Sequence, residues 1–215
     1  MEVVIKDNSG EFLKALPEQI EQAITPRTKL IMFSSPSNPT GMLYSPDEVR
    51  ALSEVICEKD LYVIDDEIYA YLTYSGEFLS FAAVSEDMKT RTIIVNGVSK
   101  TWAMTGWRIG FCAANPQIAK ALSNYVSHST AAPSTLSQWA AVEALTGPQD
   151  TVEAMRQAFE ERRNYMVQRC NAIEGVSCLK PEGAFYIMMN ISKILGRSLD
   201  GEVIDSCDKF AQLFL

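Results

Sequence analysis

A single histidine, His128, occurs in 215 residues. A multi-histidine metal centre is thereby excluded, and no cysteine spacing resembles a zinc ligand set. The five cysteines (57, 112, 170, 178 and 207) form no CxxC pair and are odd in number. They read as reduced thiols of a cytoplasmic protein rather than as a disulfide framework. No apolar run approaches the ~20 residues that a membrane helix needs. The opening residues, MEVVIKDNSG, lack the basic start and apolar stretch of a secretory signal. Positive charge is also scarce. Lys and Arg number 19 against 27 Asp and Glu, a net charge of -8, which argues against nucleic-acid binding. No G-x-G-x-x-G follows a strand. Gly97-Val98-Ser99-Lys100-Thr101 lacks the glycine before the lysine that a phosphate-binding P-loop requires. Repeats and low-complexity tracts are missing as well.

What is present is ordinary globular material, 47% hydrophobic and 21% charged, enough for a sizeable core. Short apolar runs at Val3–Lys6, Lys29–Ser34, Leu61–Ile64, Thr92–Val95 and Ile109–Ala113 read as strands. Between them lie amphipathic helices, at Leu16–Ile24 and after Ser45. Ser45 can cap, Pro46 suits the first helical position, and Glu48 completes a capping box. Val49, Leu52, Val55 and Ile56 give that helix one apolar stripe. Further helices are expected from Asn115-Pro116, over about 136–145, and over about 151–173. Val176–Leu179 and Ala184–Met189 read as two short strands, and Val203 to the end as helix. This alternation predicts an α/β layer fold with a mainly parallel sheet. The change to long helices near residue 150 predicts a second domain.

In open α/β sheets ligands bind beyond the carboxyl ends of the strands. Asn38, Asp66 and Lys100 each follow or close one of the apolar strands, so adjacent strands would bring them to one edge. Arg108 can return to that edge from the next strand. A lysine amine forms imines with aldehydes, and an arginine fork grips phosphate. The pair therefore suits a phosphorylated aldehyde cofactor, such as pyridoxal phosphate.

The stretch from Asn96 to Gly110, NGVSKTWAMTGWRIG, resembles the pyridoxal-phosphate attachment site of the class I and II aminotransferases, the aspartate aminotransferase family. Two more segments agree, in the family's order: Ser37-Asn38-Pro39-Thr40-Gly41 and Asp66-Glu67-Ile68-Tyr69. The resemblance implies the fold type I architecture. Residues 1–150 would form an N-terminally incomplete cofactor-binding large domain. Residues 151–215 would hold the interdomain helix and part of a small α+β domain. It implies pyridoxal 5'-phosphate bound as a Schiff base on Lys100, which would also shuttle a proton at the substrate α-carbon. It implies Asp66 on the ring nitrogen, Tyr69 and Asn38 on the phenolic oxygen, and Arg108 on the phosphate. Gly97 stands where many relatives carry a phosphate-binding serine, and Ser99 can offer a hydroxyl nearby. The substrates implied are an amino acid, aspartate first, and a 2-oxo acid.

Each residue has a plainer reading. A lysine alone is a solvated surface group. Asp65 competes with Asp66, and the three-residue spacing to Tyr69 selects Asp66. Arg108 could pair with a carboxylate. Phe185 and Tyr186, after Gly183-Ala184, read as packing residues, as do Trp102 and Trp107. The resemblance also implies absent segments: an N-terminal one, with a phosphate loop and a ring-stacking aromatic, and a C-terminal one, with the carboxylate-binding arginine. The parent is thus expected to be a homodimeric transaminase, with dimerisation of this chain in doubt and its own cofactor binding and turnover weak. A pyridoxal-phosphate carbon-sulfur β-lyase and a non-catalytic fragment are the alternatives.

Overall fold

A four-stranded sheet organises the computed structural model, which describes residues 14–214. The strand expected at Val3–Lys6 lies outside those residues. Helix α1 (Pro17–Ala23) leads into β1 (Leu30–Ser34), and α2 (Pro46–Glu58) leads into β2 (Tyr62–Asp66). A short α3 (Glu86–Arg91), capped by Ser85 and not expected from periodicity, precedes β3 (Thr92–Gly97). The strands stand in the order β1-β2-β3-β4, with the first three parallel and β4 (Gly110–Ala113) antiparallel to β3.

The connections set these directions. Parallel neighbours need a crossover of about a dozen residues or more, usually helical. α2 and α3 sit within the two crossovers. Between β3 and β4 there is only a 3-10 turn, Thr105–Trp107, so the chain doubles back. Lys100 and Arg108 lie on that reversal.

α2 forms as its sequence dictates. Ser45 Oγ accepts the Glu48 N–H at 3.3 Å, while the Glu48 carboxylate accepts the Ser45 N–H at 2.7 Å. The apolar stripe then buries Val49, Leu52 and Ile56 against Leu61, Val63, Phe81 and Met88. Full burial of each such side chain contributes about 1.5–3 kcal/mol. Only one face of the sheet is covered this way. On the other, Leu30, Met32, Tyr62 and Val95 stay exposed.

Three longer helices follow: α4 (Pro116–Ser129), α5 (Thr135–Thr146) and α6 (Asp150–Asn171). Asn115 caps α4 by accepting the Ile118 N–H at 3.0 Å. Beyond α6 the chain builds two small hairpins, β5 (Ser177–Cys178) with β6 (Met189–Asn190), and β7 (Ser198–Leu199) with β8 (Glu202–Val203), then α7 (Cys207–Phe214). Val176, Ile191, Ile194 and Ile204 form a separate apolar cluster here, with Phe210 and Leu213 against it.

Two expectations fail in this part. The strand read over Ala184–Met189 pairs only at its end, because the Ala184 N–H goes to Leu72 O at 2.9 Å instead of into a ladder. The terminal helix begins at Cys207, not Val203, because Asp200 and Gly201 adopt positive φ (50° and 86°) and turn a hairpin. Asp-Gly is a strong signal for that turn.

Candidate active site

Parallel register gathers the strand ends. Ser34 lies opposite Asp66, Asp66 opposite Val95, and Gly97 opposite Gly110. Asn38 emerges beyond β1, Asp66 closes β2, Lys100 follows β3, and Arg108 precedes β4. All four positions thus fall at one edge, the carboxyl edge of the parallel strands.

Lys100 is half-buried and aims at an aromatic wall. Its Nζ lies 5.9 Å from the Tyr69 ring centroid and 5.3 Å from that of Phe185. Among the described residues it has neither a hydrogen-bond nor an ion-pair partner. Arg108 is exposed; its guanidinium donates to Thr105 O at 2.8 Å, and no described carboxylate pairs with it. The plain reading of Arg108 as an ion-paired structural arginine therefore finds no support. The Asn38 side chain is exposed and makes no hydrogen bond among the described residues. Next to Lys100, Thr101 is 1% exposed, and its hydroxyl has no partner among the described residues. Non-glycine residues at positive φ cluster here as well: Ala103 (53°), Arg108 (54°) and Ala184 (56°). Such backbone costs of order 1 kcal/mol or more and concentrates at functional sites.

Strand alternation separates the two candidate aspartates. Asp65 faces the α2 core at 1% exposure and accepts the Phe81 N–H at 3.2 Å. Burial and the neighbouring Glu67 charge push its carboxyl up to about 8. Asp66 points to the opposite face, half-buried, with one oxygen accepting the Ile68 N–H at 3.1 Å. A free carboxylate at the sheet edge is therefore Asp66, as the spacing to Tyr69 suggests.

Tyr69 is 3% exposed, and its hydroxyl shares a 2.5 Å hydrogen bond with Tyr186. Burial, then that hydrogen bond, raises the Tyr69 phenol above its ordinary range. Phe185 packs edge-on to Tyr69 at 5.4 Å. The packing reading of Phe185 and Tyr186 is thus incomplete, since both line the site.

The segment that carries them is stapled across the strand exits. Glu182 and Gly183 donate their N–H groups to Gly41 O, and Arg163 donates to Pro181 O at 2.7 Å. The Arg163 guanidinium also lies 4.9 Å from the Tyr74 ring centroid. A Cβ on Gly183 would meet Pro36 at 2.5 Å, so only glycine admits this approach. The glycine before an aromatic pair was the signal available in sequence; the partners it reaches were not.

The set fits a phosphorylated aldehyde: an amine, a guanidinium and a carboxylate without ion-pair partners among the described residues, and a buried hydroxyl, Thr101 Oγ1, with no described hydrogen-bond partner. A mainly parallel sheet presenting these groups at its carboxyl edge, beside an aromatic wall, is the ligand-binding arrangement of open α/β folds.

Comparison with known proteins makes the assignment specific. The family profile "Aminotransferase class I and II" matches residues 7–213, and the chain belongs to that family. It is 49% identical over 189 residues to an aspartate aminotransferase of Geobacillus stearothermophilus, covering 87% of this chain and 48% of the relative. It is 43% identical to an aspartate aminotransferase of Bacillus sp. (strain YM-2), covering 99% of this chain and 54% of the relative. Its fold superposes on the aspartate aminotransferase from Rhizobium meliloti with TM-score 0.89 at 39% identity, covering 93% of this chain and 50% of that one. The Thermus thermophilus aspartate aminotransferase with maleate gives 0.79 at 41% identity, covering 83% and 46%. The chain therefore spans about half the length of the relatives it matches. Within the described residues, no helix is long and apolar enough to cross a membrane.

Proposed function

We propose that this chain carries the cofactor-holding part of a transaminase that moves an amino group between an amino acid, aspartate foremost, and a 2-oxo acid, with pyridoxal phosphate as cofactor. The observation that carries the reading is the unpaired Lys100 amine at the carboxyl edge of a parallel sheet, between Asp66 and Arg108 in the strand order. Relatives named as aspartate aminotransferases, an asparagine–oxo-acid transaminase of Streptococcus mutans and aspartate/prephenate aminotransferases support aspartate or a four-carbon amino acid like it as the amino donor. The parent protein would work as a homodimer in the cytoplasm. Residues 1–150 would form the cofactor-binding domain, and 151–215 an interdomain helix with part of a smaller domain. The separate apolar cluster around Val176 and Ile194 supports that division.

When bound, the cofactor supplies an electron-accepting ring that stabilises a carbanion at the substrate α-carbon. The residues of this chain do the rest. Lys100 Nζ would hold the aldehyde carbon and, once released by the incoming amine, carry the proton at the substrate α-carbon. Asp66 would keep a proton on the ring nitrogen. Tyr69 and Asn38 would bond the ring's phenolic oxygen, which requires the Tyr69 hydroxyl to be shared with Tyr186. Arg108 would leave its own turn and fork onto the phosphate. Phe185 and Tyr69 would exclude water from the Lys100 amine.

The test is chemical. Incubation with pyridoxal phosphate, borohydride reduction and peptide mapping should label Lys100, and Lys100→Ala should abolish the label. Label on another residue, or none on the parent enzyme, overturns the reading. Product analysis on the parent should show a new amino acid and an oxo acid; pyruvate with sulfide would assign a β-lyase instead.

A further inference from the structure

Asp65 and Glu67 flank Asp66 in sequence but serve the other side of the strand. Both are buried, at 1% and 8% exposure. Asp65 accepts the Phe81 N–H, and the Glu67 backbone N–H donates to Val95 O at 2.9 Å. The Glu67 carboxyl lies beside the Asp65 carboxyl and the Ser80 side chain. Glu67 Oε1, however, is buried and finds no N–H or O–H donor among the described residues. No lysine, arginine or histidine among the described residues pairs with either group. The other charge acting on them is the Asp66 carboxylate, again negative.

Two ionised carboxylates cannot rest in such a place. Each buried ion costs several kcal/mol in desolvation, and like charges in contact add repulsion. A single proton resolves both problems. Protonated Asp65 can donate to Glu67 and satisfy the orphaned oxygen, while its second oxygen keeps the Phe81 N–H.

We propose that Asp65 and Glu67 share one proton at neutral pH, and that this pair is a positioning device for Asp66. It clips the Ser80–Ala83 turn beneath the strand end that presents Asp66 to the ligand edge. The positioning half of this statement rests on the proposed role of Asp66; the shared proton does not. Asp65 holds this turn through the Phe81 N–H, and Glu67 lies beside its first residue, Ser80. Loss of the proton would leave three consecutive carboxylates ionised at the end of β2, and the turn would be released.

The direction of the pH dependence follows. Burial, then the Glu67 charge, raises Asp65 in the folded state above its unfolded range. The folded chain thus binds more protons than the unfolded chain across that interval. Stability from the pair is complete below the ordinary carboxyl range. It is lost progressively as pH rises through the folded value.

Infrared spectra and denaturation together decide the matter. The wild-type chain at neutral pH should show a buried protonated-carboxyl band, lost in Asp65→Asn and in Glu67→Gln. Its urea midpoint should fall between about pH 5 and about pH 8. In Asp65→Asn the amide can donate to Glu67 at any pH, so the midpoint should stay level; Glu67→Gln is the second variant should the first fold poorly. Pyridoxal phosphate retention, read by equilibrium dialysis, should weaken over the same interval in wild type and not in Asp65→Asn. A missing band, or equal slopes in wild type and variant, overturns the shared proton. Equal dialysis profiles overturn the positioning role. No retention at any pH overturns the positioning role in this chain, while band and slope still decide the proton and borohydride labelling of the parent enzyme decides the cofactor reading.

Discussion

At the residue scale, Thr101 carries a buried polar group that the fold leaves unbonded among the described residues. Its hydroxyl is buried beside Lys100 with no partner, a situation that costs about 1–3 kcal/mol. Thr101→Val keeps the shape and removes the hydroxyl. Without cofactor the variant should be more stable by about 1 kcal/mol, seen as a higher urea midpoint; a lower one would show that the hydroxyl has a partner. Single residues were legible in sequence where spacing carried chemistry: Lys100, Arg108, Asp66 and Tyr69 all lie at the strand ends. Tyr186 was not, since it meets Tyr69 across 117 positions, and no local pattern encodes so distant a hydrogen bond. The spacing to Tyr69 favoured Asp66 over Asp65 in sequence, and the sheet supplies the physical reason, since alternation gives adjacent residues opposite environments.

Among the elements, α2 shows local chemistry deciding local structure. Its capping box, proline start and apolar stripe are all readable in order, and all form. Ser45→Ala leaves the Glu48 N–H unbonded at the helix start and should cost about 1 kcal/mol in chemical denaturation; no change would mean that Pro46 and the acidic first turn suffice. The β7–β8 hairpin was equally readable from Asp200-Gly201, but the apolar content of the following residues drew the helix too far upstream. The segment from Pro181 to Tyr186 differs in kind. Its extended pattern reads as a strand, yet its hydrogen bonds go to Gly41, Leu72 and Tyr74. Tertiary partners outbid the local ladder, so the aromatic wall is built from an element with no sheet of its own.

On the scale of the whole molecule, one face of the sheet is packed and the other is open. Met32 is 77% exposed, and on α5 Leu136 and Trp139 are 78% and 70% exposed. Large apolar side chains exposed to this degree promote association. The chain in isolation should scatter light increasingly with concentration and bind a hydrophobic dye. Met32→Glu and Trp139→Glu should reduce both signals; unchanged scattering would show that these side chains are covered. The α/β class, the strand order of functional positions and the family were set by the sequence alone, because hydrophobic period and motif spacing are local properties. Which aromatics enclose Lys100, which segment carries them, and which buried acids must hold a proton were decided only by the tertiary structure. These depend on burial and on contacts between distant segments, and a linear pattern carries neither.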